Sequence, residues 1–211
     1  MIYSRNVAGQ VLLLECSPIL HGVAEDVLDV FASLSEDGRV PRDGFRIRFG
    51  WSLFSLRRER RGLRVCEPRF AGDPLTESNS TIDITLSVLA EQLALLRAVG
   101  VEAQDVAFDQ QIIFAGDALK ASSVHALRTE PQSEEDSGWS VAPVPAAGEQ
   151  VDADNLSVLR VHELVVRRPV LLQAMTLPVG YLVTANGDRL IRVIDPGKRV
   201  LWTADEGKSP K

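Results

Sequence analysis

An α+β fold is what this sequence predicts: two small subdomains of antiparallel strands and hairpins with helices packed on them. Three observations point there. Short runs alternate apolar and polar residues, the period of a half-buried strand. Two longer stretches repeat apolar residues every three or four positions, the period of a helix with one buried face. Strands and helices do not alternate regularly, so a parallel βαβ sheet is not expected. With 45% hydrophobic and 25% charged residues in 211, the chain has enough apolar side chains to build a core.

Val11 to Leu14 reads as a short buried strand. Ser17-Pro18 opens a helix, because the first helical position needs no N–H and suits proline. Ile19, Val23, Val27, Val30 and Leu34 form its apolar face, and Asp37-Gly38 stops it. Gly44 to Phe70 is expected to be a β-hairpin. Phe45, Ile47 and Phe49 alternate with Arg46 and Arg48, Arg57 to Gly62 makes the turn, and Leu63 and Val65 lie on the return strand. Gly72 to Ser80 is rich in turn residues and reads as a surface loop. A second helix carries Ile82, Leu86, Leu89, Leu93 and Leu96 on one stripe, with Gly100 as its stop.

Composition changes near residue 105, which divides the expected organisation into 1–105, 106–204 and a polar tail at 205–211. The second part is expected to contain strands at Gln111 to Ala115, Val124 to Thr129 and Trp139 to Val141. An acidic loop, Glu130 to Asp136, precedes the third of these, and Pro143 to Asp154 is a connector. Leu156 to Val166 reads as a helix capped by Asp154 or Asn155. Tyr181 to Thr184 and Leu190 to Ile194 are joined through Asn186-Gly187-Asp188 and make the clearest hairpin in the chain.

The formal charge of −6 argues against broad nucleic-acid binding, which needs a basic footprint, and suits a basic protein partner. That mean conceals a polarity. Residues 44–70 carry eight arginines against Glu59 and Glu67, a net of +6, while residues 101–156 carry eleven acidic residues against Lys120 and Arg128, a net of −9. No apolar run approaches the ~18 residues of a membrane span, and the start of the chain lacks the apolar core of a signal peptide. Two cysteines, Cys16 and Cys66, make no disulfide framework. A cytoplasmic protein is the expectation.

Catalytic and cofactor motifs are missing. Neither glycine-rich phosphate loop occurs. Gly50-Trp51-Ser52 and Gly138-Trp139-Ser140 begin like a nucleophile elbow but end on Phe54 and Ala142 where glycine is required. His21, His125 and His162 stand apart from other metal-ligand types. Asp152-Ala153-Asp154 begins like a calcium loop without its glycine and terminal glutamate. No enzyme, metal or cofactor is expected. Cys16, near His21, reads as a small buried residue, and Arg57 to Arg61 as a solvated hairpin tip. The most suggestive feature is Glu130, Glu134, Glu135 and Asp136, followed at once by Trp139. Carboxylates beside a large amphipathic ring are common interface anatomy. These five, with Asp152 and Asp154, are the candidate partner-binding residues.

Phe114-Ala115-Gly116-Asp117-Ala118-Leu119, His125 through Pro131, Asp136-Ser137-Gly138-Trp139, Pro169 and Leu177-Pro178-Val179-Gly180 together resemble the immunity protein 33-like family, small bacterial proteins that neutralise toxins. The resemblance covers about residues 110 to 200. Where that family has Arg-Glu-x-Pro, this chain has Arg128-Thr129-Glu130-Pro131. The resemblance implies a cognate toxin partner, delivered by a contact-dependent system such as type VI secretion. With no signal peptide, it implies a toxin that acts in the cytoplasm, a basic nuclease such as a DNase being the expected kind. The alternatives are a general binding or regulatory module with no toxin partner, and an enzyme built on Cys16 and His21. No direct contact with membrane or nucleic acid is expected of the chain itself.

Overall fold

A computed structural model describes residues 1–145 and 155–204. The chain forms two compact units, Met1–Glu91 and Gln92–Lys211. Both contain helices and sheet, so the fold is α+β.

In the first unit, β1 (Ile2–Val7) and β2 (Gln10–Glu15) form an antiparallel hairpin turned at Ala8-Gly9. A 3₁₀ turn at Pro18–Leu20 leads into α1 (His21–Glu36). The turn buries Leu20 and the helix buries Ala24, Val27, Leu28 and Phe31, while Ile19 and Val30 stay exposed, so the expected apolar face is corrected. The 3₁₀ turn puts Ile19 out of α-helical phase, and the neighbouring stripe carries the bulkier Leu28 and Phe31. Arg5 on β1 pairs with Glu25 (2.6 Å) and Asp29 on α1.

The expected hairpin at 44–70 is a three-stranded meander of β3 (Arg46–Phe49), β4 (Ser52–Glu59) and β5 (Gly62–Pro68), because Gly50-Trp51 makes an additional turn. The sheet order is β1-β2-β5-β4-β3, with β2 and β5 parallel and β6 (Ser78–Asn79) pairing β5. Trp51 is buried and stacks on Phe70, ring centroids 5.1 Å apart. The helix α2 (Asp83–Val99) starts in this unit and ends in the second. Ile82, Leu86, Leu89 and Leu96 are buried as its stripe predicts, while Leu93 is exposed and Gln92 buried. Gln92 Nε2 donates to Leu172 O at 2.8 Å, which accounts for a polar residue on the inner face.

The second unit is built on seven strands: β7 (Gln111–Ala115), β8 (Ser123–Arg128), β9 (Asp136–Pro143), β10 (Leu156–Arg160), β11 (Leu182–Asn186), β12 (Arg189–Ile194) and β13 (Val200–Thr203). Their order is β10-β7-β9-β8-β11-β12-β13. All neighbours are antiparallel except β7 with β9. Ile112, Phe114, Val124, Ala126, Val141 and Val193 are buried along one face. A 3₁₀ turn (Val161–Glu163), the short α3 (Leu164–Arg167) and a 3₁₀ helix (Pro169–Ala174) follow β10 and bury Leu164, Leu171 and Leu172. Leu156 to Val166 is therefore not one helix. Its apolar spacing fits both periods, and the free edge of β7 draws Leu156–Arg160 into the sheet. The β11–β12 hairpin forms where expected, with Gly187 at φ +55 in its turn.

Candidate functional site

The candidate site is the link between β8 and β9, residues 129–135, with Asp136 at the start of β9. Arg128 lies opposite Trp139 in the antiparallel pair, so the link leaves the sheet at its end. Hydrogen bonds set its shape. The Asp136 carboxylate accepts from Gly138 N through Oδ1 (2.8 Å) and from Gln132 N through Oδ2 (2.9 Å). Gln110 Nε2 donates to Glu134 O (2.9 Å), Gln111 N to Glu135 O (2.7 Å) and Gln132 Nε2 to Glu130 O (2.9 Å). The backbone is held while the side chains of Glu130, Glu134 and Glu135 stay exposed. Among the described residues, none of these three carboxylates has a cation within ion-pair distance. Glu135 Oε2 accepts from Gln111 Nε2 at 3.3 Å.

The four residues Asp136 to Trp139 are the foundation of this loop. Ser137 Oγ donates to Gln111 O (2.6 Å) and accepts from Trp139 N (3.2 Å). Gly138 has φ +76, and a β-carbon there would stand 2.2 Å from Thr129 O. Only glycine lets the two chain segments close to the 2.8 Å bond from Thr129 N to Gly138 O. Trp139 is 1% exposed and its Nε1 donates to Met175 O at 2.9 Å. The expectation that Trp139 offers its ring to a partner is corrected: period-two alternation turns it into the core, beside Val141. Asp136 is half-buried with both oxygens engaged, so it positions the loop. Asp152 and Asp154 lie outside the described residues.

Below the loop sits a residue that the sequence reading missed. Arg128 is buried, and its Nη1 donates to Leu177 O (2.6 Å) and Gln104 O (3.0 Å), its Nη2 to Asp105 O (3.0 Å). Burial pushes its pKa down to about 10, against the opposing pull of Asp105 and Glu130. A guanidinium on carbonyl oxygens ties residues 104–105 and 177 to the base of the acidic loop. A second buried arginine, Arg168, binds Ala118 O (3.0 Å), Ala121 O (2.6 Å) and Ser122 O (3.1 Å) in the same way. The signal for Arg128 was in the alternation, since it shares a strand face with Val124 and Ala126.

The other candidates for chemistry lie elsewhere in the fold. Cys16 is buried, and burial pushes its thiol pKa up, as does nearby Asp83. His21 is exposed and stacks on Tyr3 at 5.2 Å. Among the described residues, no group of three or more His, Cys, Asp or Glu is placed to hold a metal ion. None of the helices among them is long and apolar enough to cross a membrane. Arg57, Arg58, Arg60 and Arg61 are exposed around the β4–β5 turn. Arg64 is engaged by Glu15 and Glu59, each at 2.8 Å.

What the loop can do is present carboxylate oxygens on a held backbone to lysines and arginines of another molecule, the strong type of charge-assisted bond. The sequence model of the Imm33-like domain matches residues 91–196, a span from the second half of α2 through β12. No curated protein and no solved structure matches the chain.

Proposed function

This chain belongs to the Imm33-like family, and on that premise we propose that it is an immunity protein, which binds a cognate bacterial toxin and keeps it inactive. The observation behind the placement of the contact is the loop at 130–136: three exposed glutamates, with no cation at ion-pair distance among the described residues, on a backbone held at several points. Glu130, Glu134 and Glu135 occupy the toxin's cationic groups and block its active site. A nuclease holds substrate phosphates with lysine and arginine, and carboxylates at matching spacing take the phosphates' place. The target then lies in the cytoplasm, where nucleic acids are, and type VI secretion is one route by which such a toxin arrives.

Complementary charge also speeds encounter. Residues 101–156, formally −9, steer a basic partner at low salt, and the benefit fades as the Debye length falls below ~10 Å. The test is the kinetics of binding between this chain and the purified products of the reading frames that neighbour its gene, at about 0.05 and 0.5 M salt. The triple variant Glu130→Lys, Glu134→Lys, Glu135→Lys should slow association by about tenfold or more at low salt and flatten the salt dependence. Unchanged affinity together with unchanged salt dependence would sink the placement. Failure of the wild-type chain to bind a toxin among them or to rescue growth against it would sink the function.

A further inference from the structure

A sheet with one buried face normally turns polar side chains outward on the other. The seven-stranded sheet departs from this along one row. Val158 opposes Ile113, Ile113 opposes Ser140, and Ser140 opposes Leu127. Leu127 opposes Leu182, Leu182 opposes Ile194, and Ile194 opposes Val200. Directly opposed residues share a face, so this row runs from β10 to β12, and Ser140 is its one polar member; Val200, exposed beyond a register shift between Val193 and Ile194, extends it onto β13. At ~4.8 Å per strand spacing it runs for about 29 Å. Val158 is 55% exposed, Val200 50%, Ile113 39% and Leu127 38%, and Leu182 and Ile194 are half-buried. Leu156, exposed on β10, widens the strip at that end. Strand propensity alone does not require it, since threonine serves equally on an outward face. Single exposed apolar residues need no explanation, but a contiguous strip marks an interaction surface.

The strip has polar borders. On one side are Gln111 and Arg160, opposed across β7 and β10. Gln111 is the residue that holds the Glu135 carboxylate, so this border runs directly into the acidic loop. On the other side, His125 opposes Thr184, which opposes Arg192. An apolar centre with a charged rim is the anatomy of a specific protein interface.

We propose that the strip is the apolar centre of the toxin-binding surface, with Glu130, Glu134 and Glu135 as its rim. The matching toxin surface is an apolar patch bordered on one side by lysine or arginine. This rests on the immunity-protein reading. The strip by itself exposes on the order of 300 Å², short of the ~800 Å² per partner of a stable interface, and the adjoining loop supplies further surface. A second copy of the chain fits less well, because it would bring together two segments that are each formally −9.

The test uses the full chain with Ile113→Thr, Leu127→Thr and Val158→Thr combined, which keeps charge and strand propensity. Against the neighbouring gene product that the wild-type chain binds, Kd should rise about 30-fold or more through faster dissociation. Association rate and salt dependence should stay as in the wild type, the reverse of the glutamate variant. The single Val158→Thr, the most exposed of the three, should give about a fivefold rise in Kd and serves if the triple variant melts early. Wild-type toxin binding by both, with the glutamate variant still impaired, overturns the strip and leaves the immunity function standing. No toxin binding by the wild-type chain overturns both. A wild-type dimer in light scattering that becomes monomeric in the triple variant, with toxin binding unchanged, makes the strip a self-association face and also overturns the proposal.

Discussion

Glu67 offers the sharpest test of the packing in the first unit. Its side chain on β5 is 1% exposed and accepts a hydrogen bond from Thr85 N at 2.7 Å, in the first turn of α2. Two effects compete there. Burial disfavours the carboxylate, while the Thr85 and Ile84 amides of the helix start favour it. Burial wins, and the pKa rises from 4.5 to about 7. The folded state thus holds this proton more tightly than the unfolded chain. The contribution to stability is complete below pH 4.5 and is lost as pH rises through about 7. At ~1.4 kcal/mol per pKa unit the loss amounts to about 3 kcal/mol. Glu67→Gln keeps an acceptor for Thr85 N and removes the ionisable group. Urea unfolding followed by tryptophan fluorescence, from below pH 4.5 to above pH 8, gives wild-type minus variant stability, in which other titrations cancel. That difference should fall by about 3 kcal/mol across the range. A flat difference, or one that rises with pH, would show that the helix start outweighs burial and refute the reasoning.

Two further outcomes concern the foundation of the acidic loop. Arg128→Met leaves the carbonyls of Gln104, Asp105 and Leu177 without their donor and should cost about 3 kcal/mol or more in urea unfolding. Arg128→Lys should recover less than half of that, because an ammonium cannot reproduce the planar fork. Gly138→Ala places a methyl group against Thr129 O at a positive φ; it should cost about 3 kcal/mol and speed hydrogen exchange at Thr129 N.

How much was legible depends on whether a segment's neighbours in sequence were also its neighbours in space. The β11–β12 hairpin and strands β7, β8 and β9 could be read because alternation and the Asn186-Gly187-Asp188 turn act locally. Leu156 to Val166 was misread because its apolar residues satisfy two periods, and only the open edge of β7 decides between them. The face of α1 was misplaced by about one residue for a related reason: two adjacent stripes are both apolar, and packing selects the one with Phe31. In the site, the exposed glutamates were readable as a charge run. Trp139 joins the partner-binding candidates because it directly follows the acidic run, although its own strand period turns it in.

The α+β class, the polarity of charge along the chain, the acidic loop and the resemblance to the family were all legible in the residues alone, because each is carried by positions close together in the chain. Tertiary structure alone decided that Asp136 to Trp139 hold the loop at its foot, with Trp139 turned into the core, and that Arg128 is its buried anchor. It also aligned Val158, Ile113, Leu127, Leu182, Ile194 and Val200 in one row. These residues come from six strands, and strand register across the sheet is set by pairing between segments distant in sequence, which no local pattern encodes.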